Sequence, residues 1–160
     1  MSFEDLVREH AAALFRYAYW LARDRHQAED VVQEALIRGW RAFPRLRERA
    51  AAKAWLFSIV RNEHLRAAGR KPRPSVAFED AELADESASF GFEMREALLA
   101  LPPSYAEPLA LQVLGGFSCA EIAGMIGTTE GATMTRLTRA RQALRRMISP
   151  ASAKEGSRRA

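Results

Sequence analysis

Between Gly131 and Lys154 the chain carries six basic residues and no acidic one. Five of them, Arg136, Arg139, Arg141, Arg145 and Arg146, ride on a helical pattern whose apolar positions are Leu137, Ala140, Leu144 and Met147. A guanidinium on such a face can pair bidentately with a guanine edge or neutralise a phosphate. Thr133, Met134, Thr135 and Thr138 stand in the N-terminal half of the same stretch, with Thr129 just ahead of it. There a hydroxyl or an apolar tip can touch a base edge or a thymine methyl. Just upstream, Ser118 to Ile126 reads as a shorter helix with a Ser118/Glu121 capping box, and only Gly127, Thr128 and Thr129 separate the two. A short helix, a tight glycine-containing turn and a long basic helix are the pattern of a helix-turn-helix, in which the start of the second helix reaches base edges. The alternative is an ordinary helix with a solvated basic face; the turn and the capped helix before it favour nucleic acid.

Two further constellations precede it. Asp30, Glu34 and Arg38 form an i, i+4, i+8 row with Gln33 beside it. From spacing alone this reads as a solvated helix face with one i,i+4 ion pair, worth ~0.3–0.5 kcal/mol. Trp55 and Phe57 precede Arg61, Asn62, His64, Arg66, Arg70, Lys71 and Arg73. Aromatic and basic residues so mixed can stack and bind single-stranded nucleic acid, although Trp55 also fits an apolar core stripe.

No grouping of nucleophile, base and orienting residue suggests an enzyme. One cysteine, Cys119, excludes an internal disulfide, and the three histidines lie too far apart for a zinc site; no metal and no cofactor is expected. No stretch approaches the ~20 apolar residues of a membrane span. The acidic N-terminus, with Glu4 and Asp5, is unlike a secretory signal, which points to the cytoplasm. The net charge of +4 and a pI near 9.7 suit a polyanionic partner.

Positioning these residues requires an all-α architecture in two small helical domains. Residues 1–70 carry net charge +4, residues 71–92 net −3 and residues 93–160 net +3. The middle stretch is rich in Pro, Ser and acidic residues, so 71–91 reads as a flexible acidic linker. In residues 1–70 the periodicity predicts three helices. The first spans roughly 3–22. The second spans 25–43, capped by Asp24 with Gln27, and carries an inward stripe of Ala28, Val31, Val32, Ala35, Leu36, Trp40 and Phe43. The third spans 51–68, with Trp55, Leu56, Ile59 and Val60 inward, and Gly69 as its stop. In residues 92–148 four helices are expected: 92–101, one opened by a Ser104/Glu107 capping box and closed by Gly115-Gly116, 118–126, and 129–148. Val113, Leu114, Ile122, Ile126, Leu137, Ala140, Leu144 and Met147 are the expected core, and 149–160 a disordered tail.

Three ordered runs, AEDVVQEALIRGWRAF (28–43), AWLFSIVRNEHLRAAGRKPRP (54–74) and LLALPPSYAEPLALQVLGGFSCAEIAGMIGTTEGATMTRLTRARQAL (98–144), together resemble the extracytoplasmic-function (group IV) sigma factors of the sigma-70 family. The resemblance implies a three-helix region 2, a linker, and a four-helix region 4 that contains the helix-turn-helix. It implies core RNA polymerase, promoter DNA and an anti-sigma factor as partners, with no membrane insertion. Asp30, Gln33 and Glu34, with Arg38, match the acidic face that docks on the clamp helices of polymerase. Asn62 matches a residue of the pocket for a flipped minus-ten base, with Arg61, His64, Arg66, Arg70 and Lys71 around it and the loop 45–53 over it. The helix with Thr129, Thr133, Met134, Thr135, Arg136, Thr138, Arg139 and Arg141 would read the minus-thirty-five element. Met134 stands where many members carry Lys or Arg, and Ser58 and Arg61 also depart from common choices. A sigma mimic that sequesters an anti-sigma factor, or a stand-alone helix-turn-helix regulator, are the rival functions.

Overall fold

The computed structural model describes the backbone of residues 1–70 and 91–148 and the side chains of 1–69 and 96–147. Among these residues there are seven α-helices, two 3-10 turns and no strand. The chain divides into two compact units, Met1–Glu79 and Asp80–Ala160. Apart from Gly91, the stretch expected as a linker lies outside the described residues, as does the tail over 149–160.

The first unit is built from α1 (Phe3–Ala22), α2 (Arg25–Ala42) and α3 (Ala52–Arg70). Ser2 and Asp5 close a capping box on α1: the Asp5 amide donates to Ser2 Oγ at 3.1 Å and the Ser2 amide to Asp5 Oδ2 at 3.2 Å. That amide of Ser2, above all, holds the Asp5 carboxyl below its ordinary value. Asp24 caps α2 by accepting from the His26 amide, not through a reciprocal box with Gln27. α3 runs through Gly69 to Arg70, so Gly69 is not its stop.

All three helices pack on one another. Leu6, Leu14, Tyr17 and Ala18 meet Ala28, Val31 and Ala35 of α2 and Ala52, Leu56, Phe57 and Val60 of α3 in a buried core. Each of the larger side chains contributes about 1.5–3 kcal/mol by leaving water. Rings extend that core, Tyr17 to Phe57 at 5.5 Å and Phe3 to Phe43 at 5.5 Å. Trp40 departs from its expected inward place and is 62% exposed. The buried line runs Ala28, Val31, Ala35, Gly39, because a Cβ on Gly39 would lie 3.2 Å from both Leu56 Cδ1 and the Phe3 ring. The bare glycine lets α2 approach at that point and turns its neighbour Trp40 outward.

The second unit comprises α4 (Gly91–Ala100), α5 (Pro103–Gly115), α6 (Cys119–Ile126) and α7 (Glu130–Ile148). α5 starts before Ser104, which therefore makes no capping box. Pro103 occupies its first turn, where a missing N–H costs nothing, and the Tyr105 and Ala106 amides bond to the Pro102 carbonyl. Gly116 ends it in the left-handed region, at φ 71°. The expected Ser118/Glu121 box opens α6, with bonds of 3.0 and 3.2 Å. α7 packs on α4, α5 and α6. The core is Ala97, Leu98, Leu101, Ala106, Leu109, Leu111, Phe117, Ile122, Leu137, Ala140 and Leu144. Two residues expected in it, Val113 and Met147, are exposed instead.

Candidate functional site

The turn between α6 and α7 sets the pitch of the basic helix. Gly127 takes φ 75°, and the amides of Gly127 and Thr128 both donate to the Ala123 carbonyl. Thr129 then caps α7, its Oγ1 accepting from the Ala132 amide at 3.1 Å. Ile122 and Ala123 on one side and Leu137, Ala140 and Leu144 on the other fix which face of α7 remains in solvent.

That face carries Met134, 55% exposed, with Thr135, Thr138, Arg139, Arg141, Arg145 and Arg146. Arg136 is half-buried on its flank. The hydroxyls of Thr135 and Thr138 donate to the carbonyls of Gly131 and Met134, at 3.1 and 3.0 Å. Each can still accept a hydrogen bond but must break its own to donate one, so the face suits amino groups on base edges and apolar methyls. Thr133 does not belong to it. Its side chain is fully buried and its hydroxyl donates to the Thr129 carbonyl at 3.0 Å. The register of the helix places position 133 with Leu137 and Ala140, on the core side. Arg141 donates from Nη2 to Gln112 Oε1 of α5, which aims the guanidinium. Gln112 had no signal in the sequence, since its partner is 29 positions away.

In the first unit Asp30, Gln33 and Glu34 are exposed along α2, opposite Val31 and Ala35. Arg38 Nε lies 3.2 Å from Glu34 Oε1, the expected i,i+4 pair, but only 2.7 Å from Glu63 Oε1 of α3. Arg66 Nη1 approaches the same oxygen of Glu63 at 3.2 Å. The Glu63 side chain is 8% exposed, a buried carboxylate held between two guanidinium groups. Sequence inspection passed over Glu63 because its nearest partner belongs to another helix. A cleft of about 490 Å³ opens here, lined in part by Asp30, Glu34, Arg38, Glu63, His64 and Arg66.

The α3 residues singled out from sequence therefore separate. Asn62 is exposed and Arg61 half-buried. His64 is buried and lines the cleft beside Glu63, so it does not point outward with Asn62. The Arg70 side chain and Lys71 lie outside the described residues. The loop between α2 and α3 folds as two 3-10 turns, Phe43–Arg45 and Arg49–Ala51. The Arg49 guanidinium sits 4.0 Å above the Phe43 ring, and that ring lies 6.3 Å from Trp55. Trp55 is thus half-buried at the base of the loop, neither fully in the core nor free of it.

These two helical units correspond in order to two conserved parts of bacterial transcription initiation factors. The model of Sigma-70 region 2 matches residues 6–73, and that of Sigma-70, region 4 matches residues 91–144. The ECF RNA polymerase sigma factor SigM of Mycobacterium tuberculosis is 32% identical over 92% of this chain and 77% of its own length. SigL of the same species is 34% identical over 88% of this chain and 85% of its own. SigE of Mycolicibacterium smegmatis is 30% identical over 90% of this chain, which spans only 60% of that protein. Among solved structures, the sigma factor RpoE of Bartonella quintana, in complex with the anti-sigma factor NepR, superposes with a TM-score of 0.71 at 28% identity, covering 91% of this chain and 98% of that one. CnrH, in complex with the cytosolic domain of CnrY, gives 0.69 at 26% identity, over 92% and 88%. The chain belongs to the ECF RNA polymerase sigma factors. It is an alternative sigma factor, which binds RNA polymerase and directs promoter recognition.

Proposed function

We propose that the work is divided among three surfaces. Asp30, Gln33 and Glu34 dock on core polymerase, with Arg38 acting through Glu34. The exposed side of α3 around Arg61 and Asn62, with Arg66 and the positions 70 and 71, meets the minus-ten element under the loop 45–53. α7 reads the minus-thirty-five element, through Met134, Thr135 and Thr138 at base edges and through Arg139, Arg141, Arg145 and Arg146 at phosphates. Thr129 caps that helix, and Arg136 flanks it.

The observation that carries this reading is the two-sidedness of α7: Thr133, Leu137 and Ala140 are buried, while Met134, Thr138 and Arg139 are open to solvent. An exposed helix face of that charge fits a major groove. The surface of α2 supports the docking role because three exposed polar residues are held there on a rigid helix. Among the described residues no helix is long and apolar enough to cross a membrane, and the chain would act in the cytoplasm, where polymerase is. An anti-sigma factor is a further partner of this reading, supported by the similar RpoE structure, which was solved in complex with the anti-sigma factor NepR.

Run-off transcription with purified core polymerase on a promoter library tests the whole. Promoter-specific initiation only when this chain is added supports it. Duplex binding without initiation would instead indicate a stand-alone regulator, and capture of an anti-sigma factor without either activity a mimic.

A further inference from the structure

We infer that Glu63 is a positioning residue for polymerase docking: it holds Arg38 so that Glu34 can release it. The inference rests on the reading of Asp30, Gln33 and Glu34 as the docking row. In the free chain one nitrogen, Arg38 Nε, is shared between two carboxylates, at 3.2 Å from Glu34 and 2.7 Å from Glu63. The two are not equivalent. The Glu34 side chain is about half exposed, whereas that of Glu63 is almost fully buried and also receives Arg66 at 3.2 Å. An exposed pair is weak and exchanges readily. A buried carboxylate needs its cations, because stripping them leaves an uncompensated charge out of water.

This asymmetry decides what happens when a cationic partner approaches α2. Glu34 must give up Arg38 to accept a new donor. Arg38 loses little, since its closer contact to Glu63 persists, and it stays anchored toward α3. Without the charge on Glu63, Arg38 has Glu34 as its remaining anionic partner in this network. It would then neutralise the very carboxylate that polymerase must engage. Glu63 therefore keeps the docking carboxylate available without touching the partner itself.

The test measures the affinity of the labelled full chain for purified core polymerase, with thermal melting as a control on folding. Glu63→Gln is expected to weaken core binding about five-fold. Adding Arg38→Gln to Glu63→Gln removes the cation that would otherwise fall back on Glu34, and should recover most of the affinity lost in Glu63→Gln. Glu63→Asp, which keeps the charge, should restore most of the affinity. A merely structural Glu63 predicts the opposite, a double variant no better than Glu63→Gln; that result overturns the inference, as does wild-type affinity for Glu63→Gln. Should Glu63→Gln fail to fold, Arg38→Gln decides alone: a loss beyond five-fold means that Arg38 itself docks, and the inference falls. Failure of the docking reading is a separate outcome, seen as unchanged affinity when Asp30 and Gln33 are both replaced by Ala.

Discussion

The ring of Phe117 lies against the backbone of Gly115 so closely that a Cβ on Gly115 would stand 2.6 Å from Phe117 Cδ2. Phe117 is buried, and its amide reaches back to the Leu111 carbonyl at 3.4 Å. This contact folds the chain from α5 into α6 and so sets where the helix-turn-helix begins. Overpacking costs about 1–3 kcal/mol and alanine returns ~1 kcal/mol in helix propensity, so Gly115→Ala should destabilise the second unit by up to about 2 kcal/mol. Denaturant unfolding of the full chain measures it, and a stabilised variant would show that the ring can move aside.

Met134 and Thr133 are adjacent in sequence but opposite in role. Met134→Ala should leave stability within about 0.5 kcal/mol and alter base preference in the minus-thirty-five element by up to ~1 kcal/mol. Thr133→Val keeps the buried volume and removes one hydroxyl bonded within its own helix, so a cost of about 1 kcal/mol or less is expected, with no change in promoter choice. Transcription from a randomised minus-thirty-five library with each variant checks both; a shifted preference for Thr133→Val would contradict its burial.

Arg139, Arg141, Arg145 and Arg146 are all exposed on α7. If these four each neutralise a phosphate, the affinity of the full chain for a minus-thirty-five duplex should fall with a log–log salt slope of about −3.6. Fluorescence anisotropy across a salt series gives the slope. A value near zero would remove duplex binding from α7.

Asp30→Ala combined with Gln33→Ala should weaken core polymerase binding by about ten-fold or more while leaving thermal stability unchanged, since both side chains are exposed. Titration of labelled chain with core polymerase reads the affinity directly.

Burial pushes the His10 pKa below 6.5, outweighing the opposing effect of Glu9. The unfolded chain therefore takes up a proton at a higher pH than the folded one. Stability contributed by neutral His10 is fully present above about pH 6.5 and is lost as pH falls through the lower folded value. Urea titrations between pH 7.5 and 5 should show the decline, and His10→Gln should flatten that part of it.

Much of this protein is local, and the local part was readable. Helix α1 ran where its apolar spacing put it, the Ser118/Glu121 box opened α6, and Gly127 closed it. Such features depend on residues three or four apart, and the physics that fixes them acts within one turn of helix. The basic character of α7 was equally plain.

What the sequence left open was which side of each helix meets a neighbour. Periodicity put Trp40 on the inward line of α2; the approach of Leu56 and Phe3 selected Gly39 instead. Thr133 looked as fit for DNA as Thr135 until packing against the rest of its unit turned it inward. Pro103 shifted the start of α5 away from the Ser104 box. Glu63 gained its meaning only when α2 and α3 crossed and brought Arg38 within 2.7 Å of it. By itself the sequence determined the helices, several of their ends and the chemistry they carry. The tertiary structure decided which of those groups are buried and which share a partner, because burial and long-range ion pairs depend on how helices cross, which no short spacing encodes.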